Sequence, residues 1–218
     1  MSQPVKIDFV SDVVCPWCAI GLQALEQAMA RVGDGLQVEL HFQPFELNPQ
    51  LPAEGEDAIE HLTRKYGMSA EQARQNGEAI RQRGAELGFA FDMERRRRIV
   101  NTFDAHRLLH WAGQEGADRQ RSLKHALLKA YFSDGQDVSS HEVLTAIAAS
   151  VGLDRDRASE LLASGMYADE VRAQERHYQE HGIRAVPSVI FNDRHLIQGG
   201  QPVEVFEQAL RQLSGISG

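Results

Sequence analysis

The sequence predicts an α/β protein: a four-stranded mixed sheet built from the two ends of the chain, with a large all-helical segment inserted between them. Three observations carry this. The first fifty or so residues read strand–helix–strand, and the residues after 183 read strand–strand–helix. Nearly everything between 57 and 182 has the spacing of helices. The expected boundaries are 1–50 and 184–218 for the α/β part and 51–183 for the helical insertion.

In chain order, Val5, Ile7 and Phe9 alternate with Lys6 and Asp8, the period of a strand. Leu22, Leu25, Met29 and Val32 then recur at spacings of three and four, one face of a helix, and Cys18 falls on that stripe. Leu36, Val38, Leu40 and Phe42 alternate with Gln37, Glu39, His41 and Gln43, which predicts a strand with one wet face at a sheet edge. So short a strand–helix–strand link reads as a right-handed crossover between parallel strands. Pro44, Pro49 and Pro52 break the pattern, and 51–56 reads as a linker.

Within the insertion, Ser69 caps a helix running through Ala73 and Ile80 toward Leu87. Phe89 and Phe91 lie in a connection carrying Arg95-Arg96-Arg97-Arg98, read as a solvated patch rather than an anion site. Asn101 starts a helix with the stripe Ala105, Leu108, Leu109 and Ala112, and Leu123, Leu127, Leu128 and Tyr131 mark the next. Ser139 with Glu142 reads as a capping box ahead of Val143, Leu144, Ile147 and Val151. Leu161 and Leu162 belong to a short helix, and 168–181, polar nearly all round, predicts an exposed or bridging helix closed by Gly182. Strand character returns at Val189, Ile190 and Phe191, and Asn192-Asp193 turns the chain into His195-Leu196-Ile197 as a hairpin. Val203, Phe206, Leu210 and Leu213 mark a last helix.

At 218 residues and 42% apolar content the chain can bury a core without staples. A net charge of −8 argues against nucleic acid or an anionic membrane as a general partner. The first residues lack the basic and apolar regions of a signal peptide, and no apolar run is long enough for a membrane span. The expectation is a cytoplasmic protein with no nucleic-acid and no membrane partner. Oligomeric state is not legible.

The two cysteines of the chain, Cys15 and Cys18, stand at C-x-x-C spacing between the first strand and the first helix. Pro16 suits the first helical position, which places Cys15 at the N-cap, where free N–H groups and the helix dipole favour a thiolate. The expected arrangement has an exposed, activated Cys15 and a half-buried Cys18 within reach to close a disulfide. Zinc would need two further ligands. The pairs His106/His110 and His177/His181 stand far from the cysteines in sequence, so no metal is expected. In a reducing compartment a lone C-x-x-C points to thiol–disulfide exchange.

Four motifs extend this reading: Asp12-Val13-Val14-Cys15-Pro16-Trp17-Cys18, Phe45-Glu46-Leu47-Asn48-Pro49, Asn101-Thr102-Phe103-Asp104-Ala105-His106-Arg107 and Val186-Pro187-Ser188. With the layout above they make the chain similar to the thioredoxin superfamily, and more closely to DsbA-like oxidoreductases with an inserted helical domain, especially the FrnE group. The resemblance implies a thioredoxin-like fold for the α/β part, with Cys15 as nucleophile, Cys18 as resolving thiol and Pro187 as a cis-proline facing the disulfide. A cis bond would leave the Val186 backbone free to pair with an extended substrate beside Pro16 and Trp17. The resemblance also puts Phe103, His106 and Arg107 along a substrate groove. Trp17 stands where the best-known relatives carry histidine, which removes one cation from the thiolate.

The activity implied is disulfide exchange with protein or small-thiol substrates, using no cofactor beyond the Cys15–Cys18 pair, with glutathione as a candidate co-substrate. Two alternatives share the architecture. Glutathione-dependent isomerases resembling 2-hydroxychromene-2-carboxylate isomerase usually carry serine at the Cys15 position, and a redox-regulated chaperone would need no turnover.

Overall fold

The computed structural model describes residues 4–52 and 54–216. Residues 1–3, part of the stretch read for a signal peptide, and Ala53 of the expected linker lie outside the described residues, as do 217–218.

The first strand, β1 (Val5–Ser11), runs through the middle of a four-stranded mixed sheet. Its neighbours are β2 (Val38–Pro44), parallel, and β5 (Ser188–Phe191), antiparallel, and β6 (His195–Gln198) pairs with β5 at the far edge. Both faces of β1 are covered. Ile7 and Phe9 enter the main core, while Val10 joins Phe45, Tyr178 and Ile183 on the opposite side. Helix α1 (Pro16–Val32) links β1 to β2, and α9 (Val203–Ser214) packs beside it. The hairpin between β5 and β6 turns on Asn192 and Asp193, both in the left-handed region at φ 50° and 56°.

The inserted region begins with the two-residue strand β3 (Glu56–Asp57), which pairs with β4 (Arg98–Ile99). This ladder was not expected; it ties the linker to the arginine run, where neither stretch has strand periodicity of its own. Between them lie α2 (Ala58–Tyr66), capped by the Asp57 carboxylate, and α3 (Ala70–Glu86), which starts on a Ser69/Gln72 capping box. Helix α4 (Phe103–Glu115) begins two residues later than read, because the Asn101 side chain accepts the Phe103 N–H from outside the helix. Helix α5 (Ala117–Phe132) buries Leu123, Leu127, Leu128 and Tyr131. The box expected at Ser139 does not form before α6 (His141–Ser150): Asp137 takes the Ser139 hydroxyl in a local turn, and Ser140 becomes the N-cap. Helices α7 (Arg155–Ala163) and α8 (Ala168–Glu180) complete the region. Although α8 is polar nearly all round, Val171, Glu175 and Tyr178 are buried, and it bridges β2 and α4.

One continuous apolar core runs from β1, α1 and α9 into α4 to α7. Two polar contacts dock the inserted helices on the sheet. Glu26 of α1 accepts from Arg121 (2.6 Å) and His125 (2.8 Å) of α5. The hydrogen bonds from His125 and Arg121 and the Arg121 charge outweigh burial, the largest effect on Glu26, and hold its carboxyl below the ordinary value. At the β2 edge, Gln120 accepts the Phe42 N–H (3.0 Å) and donates to the carbonyls of Phe42 (3.2 Å) and Leu109 (3.1 Å). A free strand edge is thereby closed by one side chain. Gln120→Met keeps the volume but strands these backbone groups, so a loss of about 2–3 kcal/mol is expected. It should appear as a lower urea midpoint at unchanged slope.

Candidate active site

Cys15 is the N-cap of α1, with Pro16 at the first helical position. Its carbonyl accepts the N–H groups of Cys18 (3.1 Å) and Ala19 (3.4 Å), so the motif is fixed by the helix it opens. Both cysteines are free thiols. The expected exposure of Cys15 is corrected: it is 3% exposed and Cys18 is 0% exposed. The loop before β5 accounts for this. Val186–Pro187 is a cis peptide bond, and the Cys15 Sγ lies 3.7 Å from the Val186 carbonyl oxygen, its hydrogen-bond acceptor in place of a helix N–H. Gly21 permits this closeness, since a Cβ there would stand 3.0 Å from the Pro187 ring. The Cys18 thiol is pushed well above its ordinary value, first by burial and then by its hydrogen bond to the Cys15 sulfur.

Beneath the motif sits Asp12, fully buried. The Leu47 N–H donates to its Oδ2 (2.7 Å), and His106 Nε2 stands 3.4 Å from its Oδ1. Burial pushes the carboxyl up, but His106, the Leu47 N–H and Thr102 together hold it below its ordinary value. The Asp12 carbonyl in turn accepts the Cys15 N–H (3.3 Å). Beside it, Glu46 pairs with Arg172 and accepts from Asn101 (3.1 Å).

A groove of about 1630 Å³ opens over Cys15. One wall is Val14, Pro16, Trp17, Leu47 and Val186; the other comes from α2, α3 and the 90–99 connection, with Ile59, Leu62, Tyr66, Met68, Ile80 and Met93. Trp17 is 45% exposed and Tyr66 56% exposed, unusually open for large rings. The groove residues proposed by the resemblance are corrected: Phe103, His106 and Arg107 do not line it. Phe103 packs under the Arg172 guanidinium at 3.8 Å. His106 is turned inward onto Asp12 and the Phe45 carbonyl (3.2 Å). Arg107 is buried, its guanidinium spent on carbonyls at the end of α7 and on Asp104. A buried cation or imidazole needs partners, and here the protein supplies all of them. The arginine run divides: Arg96 and Arg97 face the groove, while Arg95 pairs with Asp92 and Arg98 bonds the Glu54 and Gly55 carbonyls. No cluster among the described residues has the composition of a metal site.

A family model for the DSBA-like thioredoxin domain matches residues 6–211. The chain belongs to this family. Its fold is that of a probable DsbA oxidoreductase from Streptomyces coelicolor, with a TM-score of 0.88 and 35% identity over 98% of this chain and 92% of that one. Two more distant structures share the fold alone. A 2-hydroxychromene-2-carboxylate isomerase has a TM-score of 0.70 at 16% identity, covering 98% of this chain and 100% of its own. A cytosolic disulfide reductase, DsbM from Pseudomonas aeruginosa with glutathione, has 0.63 at 15% identity, covering 95% and 98%. The chain is thus a DsbA-like disulfide oxidoreductase.

In this DSBA-like chain the sequence reading missed Asp12 as a structural centre and the α2–α3 wall of the groove. Asp12 carried a signal: a lone carboxylate inside the apolar run from Phe9 to Val14. The wall carried only the spacing of Ile59, Leu62 and Tyr66, which does not say what a helix faces. Because the Asp12 carboxyl is lowered in the fold, its stabilisation is present above its unfolded value of about 4 and is lost as pH falls through the lower folded value. Asp12→Asn is expected to be less stable than wild type near neutral pH by about 3 kcal/mol, the cost of breaking a buried pair. The gap should narrow in denaturation curves taken below about pH 4.

Proposed function

We propose that this protein is a cytoplasmic dithiol oxidoreductase of the FrnE type, working mainly as a reductase or isomerase of substrate disulfides. The observation that carries the reading is the Cys15 sulfur at the helix N-cap, 3.7 Å from the carbonyl that precedes cis-Pro187, at the floor of an open groove. The Val186 N–H makes no hydrogen bond among the described residues, so this backbone can take an extended substrate strand beside the sulfur. The region 51–183, acting as the second domain, supplies the facing wall. A groove of about 1630 Å³ with apolar walls suits a peptide segment.

In the exchange, the Cys15 thiolate attacks one sulfur of a substrate disulfide, and the other sulfur leaves as a thiolate. Cys18 then attacks the Cys15 sulfur of the mixed disulfide, closing Cys15–Cys18 and releasing the second substrate thiol. Two electrons pass to the substrate, and a thiol pool such as glutathione restores the dithiol, with no bound cofactor. Trp17 adds no charge to the thiolate, so the expected potential lies between about −270 and −120 mV. In a pool poised below about −220 mV the pair would stand largely reduced.

Cys18→Ala should accumulate the mixed disulfide on Cys15, and Cys15→Ala should abolish turnover, both read by non-reducing mass spectrometry and a disulfide-reduction assay. In the reduced wild type, Cys15 should alkylate well before the deeply buried Cys18. Wild-type turnover by Cys18→Ala without glutathione would replace this reading with a monothiol, isomerase-like one. The intact C-x-x-C counts against that alternative. Full cellular activity in a Cys15→Ser, Cys18→Ser double variant would instead select the chaperone.

A further inference from the structure

The arginine run reads in sequence as a solvated patch, yet Arg96 and Arg97 stand in the wall of the groove over Cys15. The turn that carries them is pinned from both sides. The Asp92 N–H donates to the Phe132 carbonyl (2.8 Å), and the Asp92 carboxylate accepts the N–H groups of Glu94 (3.2 Å) and Arg95 (3.0 Å). Farther along, the Tyr131 hydroxyl donates to the Arg98 carbonyl (2.8 Å), and Arg98–Ile99 joins the ladder with β3. Gly135, at φ 68°, permits the turn after α5 to approach Arg95, since a Cβ there would stand 2.6 Å from the Arg95 Cβ. Arg96 then lies over the rings of Tyr131 and Phe132, its guanidinium carbon 5.9 Å from each centroid.

The other lysine and arginines on the groove are spent on protein acceptors. Arg74 pairs with Glu71 (3.6 Å) and Arg81 with Glu78 (2.7 Å). Lys65 donates to the Leu47 carbonyl (2.9 Å) and to Asn48 Oδ1 (2.6 Å), and Arg184 to the carbonyls of Gln179 and Ile183. The Arg96 guanidinium, by contrast, makes no hydrogen bond or ion pair among the described residues, and its Nε is enclosed without a partner. Arg97 spends only its Nε, on the Glu94 carbonyl (3.2 Å), and keeps both terminal nitrogens unspent. Nearby carboxylates do not compete: Asp92 is taken by Arg95 (3.1 Å), and Glu94 pairs with neither arginine among the described residues. Half-burying a guanidinium while leaving its donors unpaired costs stability, and such groups call for a reason. In a chain of net charge −8, two unpaired cations fixed on a groove wall supply one.

We propose that this groove selects disulfide substrates with an acidic side chain on the same extended peptide segment as the reacting cysteine, and that Arg96 and Arg97 bind that carboxylate. The proposal rests on the dithiol reading above and names the substrate class for it. A guanidinium presents N–H donors in a planar fork that matches a carboxylate, and stacking on two rings fixes that plane beforehand. Preorganised donors lose little freedom when the anion arrives. The same wall offers Leu62, Tyr66 and Met93 to apolar side chains of the segment, and the Val186 backbone lies beside the sulfur. A peptide suits the space better than a small thiol does, because about 1630 Å³ exceeds the roughly 300–1,000 Å³ of ordinary small-molecule pockets. The exchange itself is unchanged: the arginines hold substrate away from the sulfurs, and no electron or proton passes through them.

The test uses the full-length reduced protein and synthetic peptides whose single cysteine is a mixed disulfide with 2-nitro-5-thiobenzoate. Attack by Cys15 on the peptide sulfur releases the coloured thiolate. One series moves a Glu stepwise along the peptide away from the cysteine, and matched series carry Gln or Lys at the same place. At limiting concentration, wild type should react roughly tenfold faster with the best-placed Glu peptide than with its Gln counterpart, and slower still with Lys. The difference should lie in the half-saturating concentration rather than the limiting rate, and should shrink as salt is raised. In the double variant Arg96→Gln, Arg97→Gln the Glu-to-Gln ratio should fall to about one. Arg97→Glu, a change at an exposed residue, is the second variant and should favour Lys over Glu. Equal rates for Glu and Gln peptides at every spacing in wild type would overturn the proposal. So would a Glu preference that survives the double variant, or equal slowing of both peptides there, which marks a structural role for the stacked guanidinium. Loss in the double variant with oxidised glutathione but with no peptide would overturn it in favour of a small anionic thiol. Failure of the dithiol reading is separate, because the readout is the first attack: Cys18→Ala would then turn over disulfides at the wild-type rate with the Glu-to-Gln ratio intact.

Discussion

Three residues before Cys15, a carboxylate with no exposed surface gathers three separate stretches of chain. Asp12 takes the Leu47 N–H from the segment after β2, stands 3.4 Å from the His106 imidazole at the start of α4, and through its own carbonyl takes the N–H of Cys15. A buried charge is tolerable only when paired and hydrogen-bonded, so each of these partners is held in place by the cost of losing it. The position of Cys15 relative to the sheet, the 45–49 segment and the inserted helices follows from this one group. Glu46 repeats the device beside it: Asn101 and Arg172 meet on its carboxylate, and Arg172 also pairs with Glu175 (2.7 Å) while stacking on Phe103.

This network explains why the inserted helices can form one wall of the groove. Helix α4 carries His106 and Arg107 inward, where they anchor Asp12 and the end of α7. Helix α5 is tied to α1 through Glu26, Arg121 and His125. Helix α2 is tied to the 45–49 segment by Lys65 on the Leu47 carbonyl (2.9 Å), and the 90–99 connection to α5 by Asp92 N–H on the Phe132 carbonyl (2.8 Å); these elements present Ile59, Leu62, Tyr66, Met68 and Met93 to the groove. This apolar, half-exposed surface costs stability, and the large shared core bears that cost.

The two sulfurs also differ in kind. Cys15 is buried by a neighbouring loop and still borders the groove; Cys18 is enclosed by the core on the inner face of α1. In the proposed exchange, attack and resolution would occur in different surroundings, one bordering the groove and one dry.

The sequence by itself determined the elements whose period is local. The alternation of Leu36 to Gln43 identified an edge strand, the Asn192-Asp193 turn a hairpin, and Cys15-Pro16 the start of a helix. Each depends on backbone geometry over a few residues, so neighbours suffice to specify it. The site core of Cys15, Cys18, Val186 and Pro187 was legible for the same reason, with the family resemblance joining its two halves. Only the tertiary structure decided which way α4 faces and that Asp12 is the centre. His106 and Arg107 look the same in sequence whether they meet substrate or carbonyls. Their direction is set by which distant group must be satisfied, and such pairings span about a quarter of the chain or more. Helical spacing says that a face is buried; what it is buried against is decided by packing.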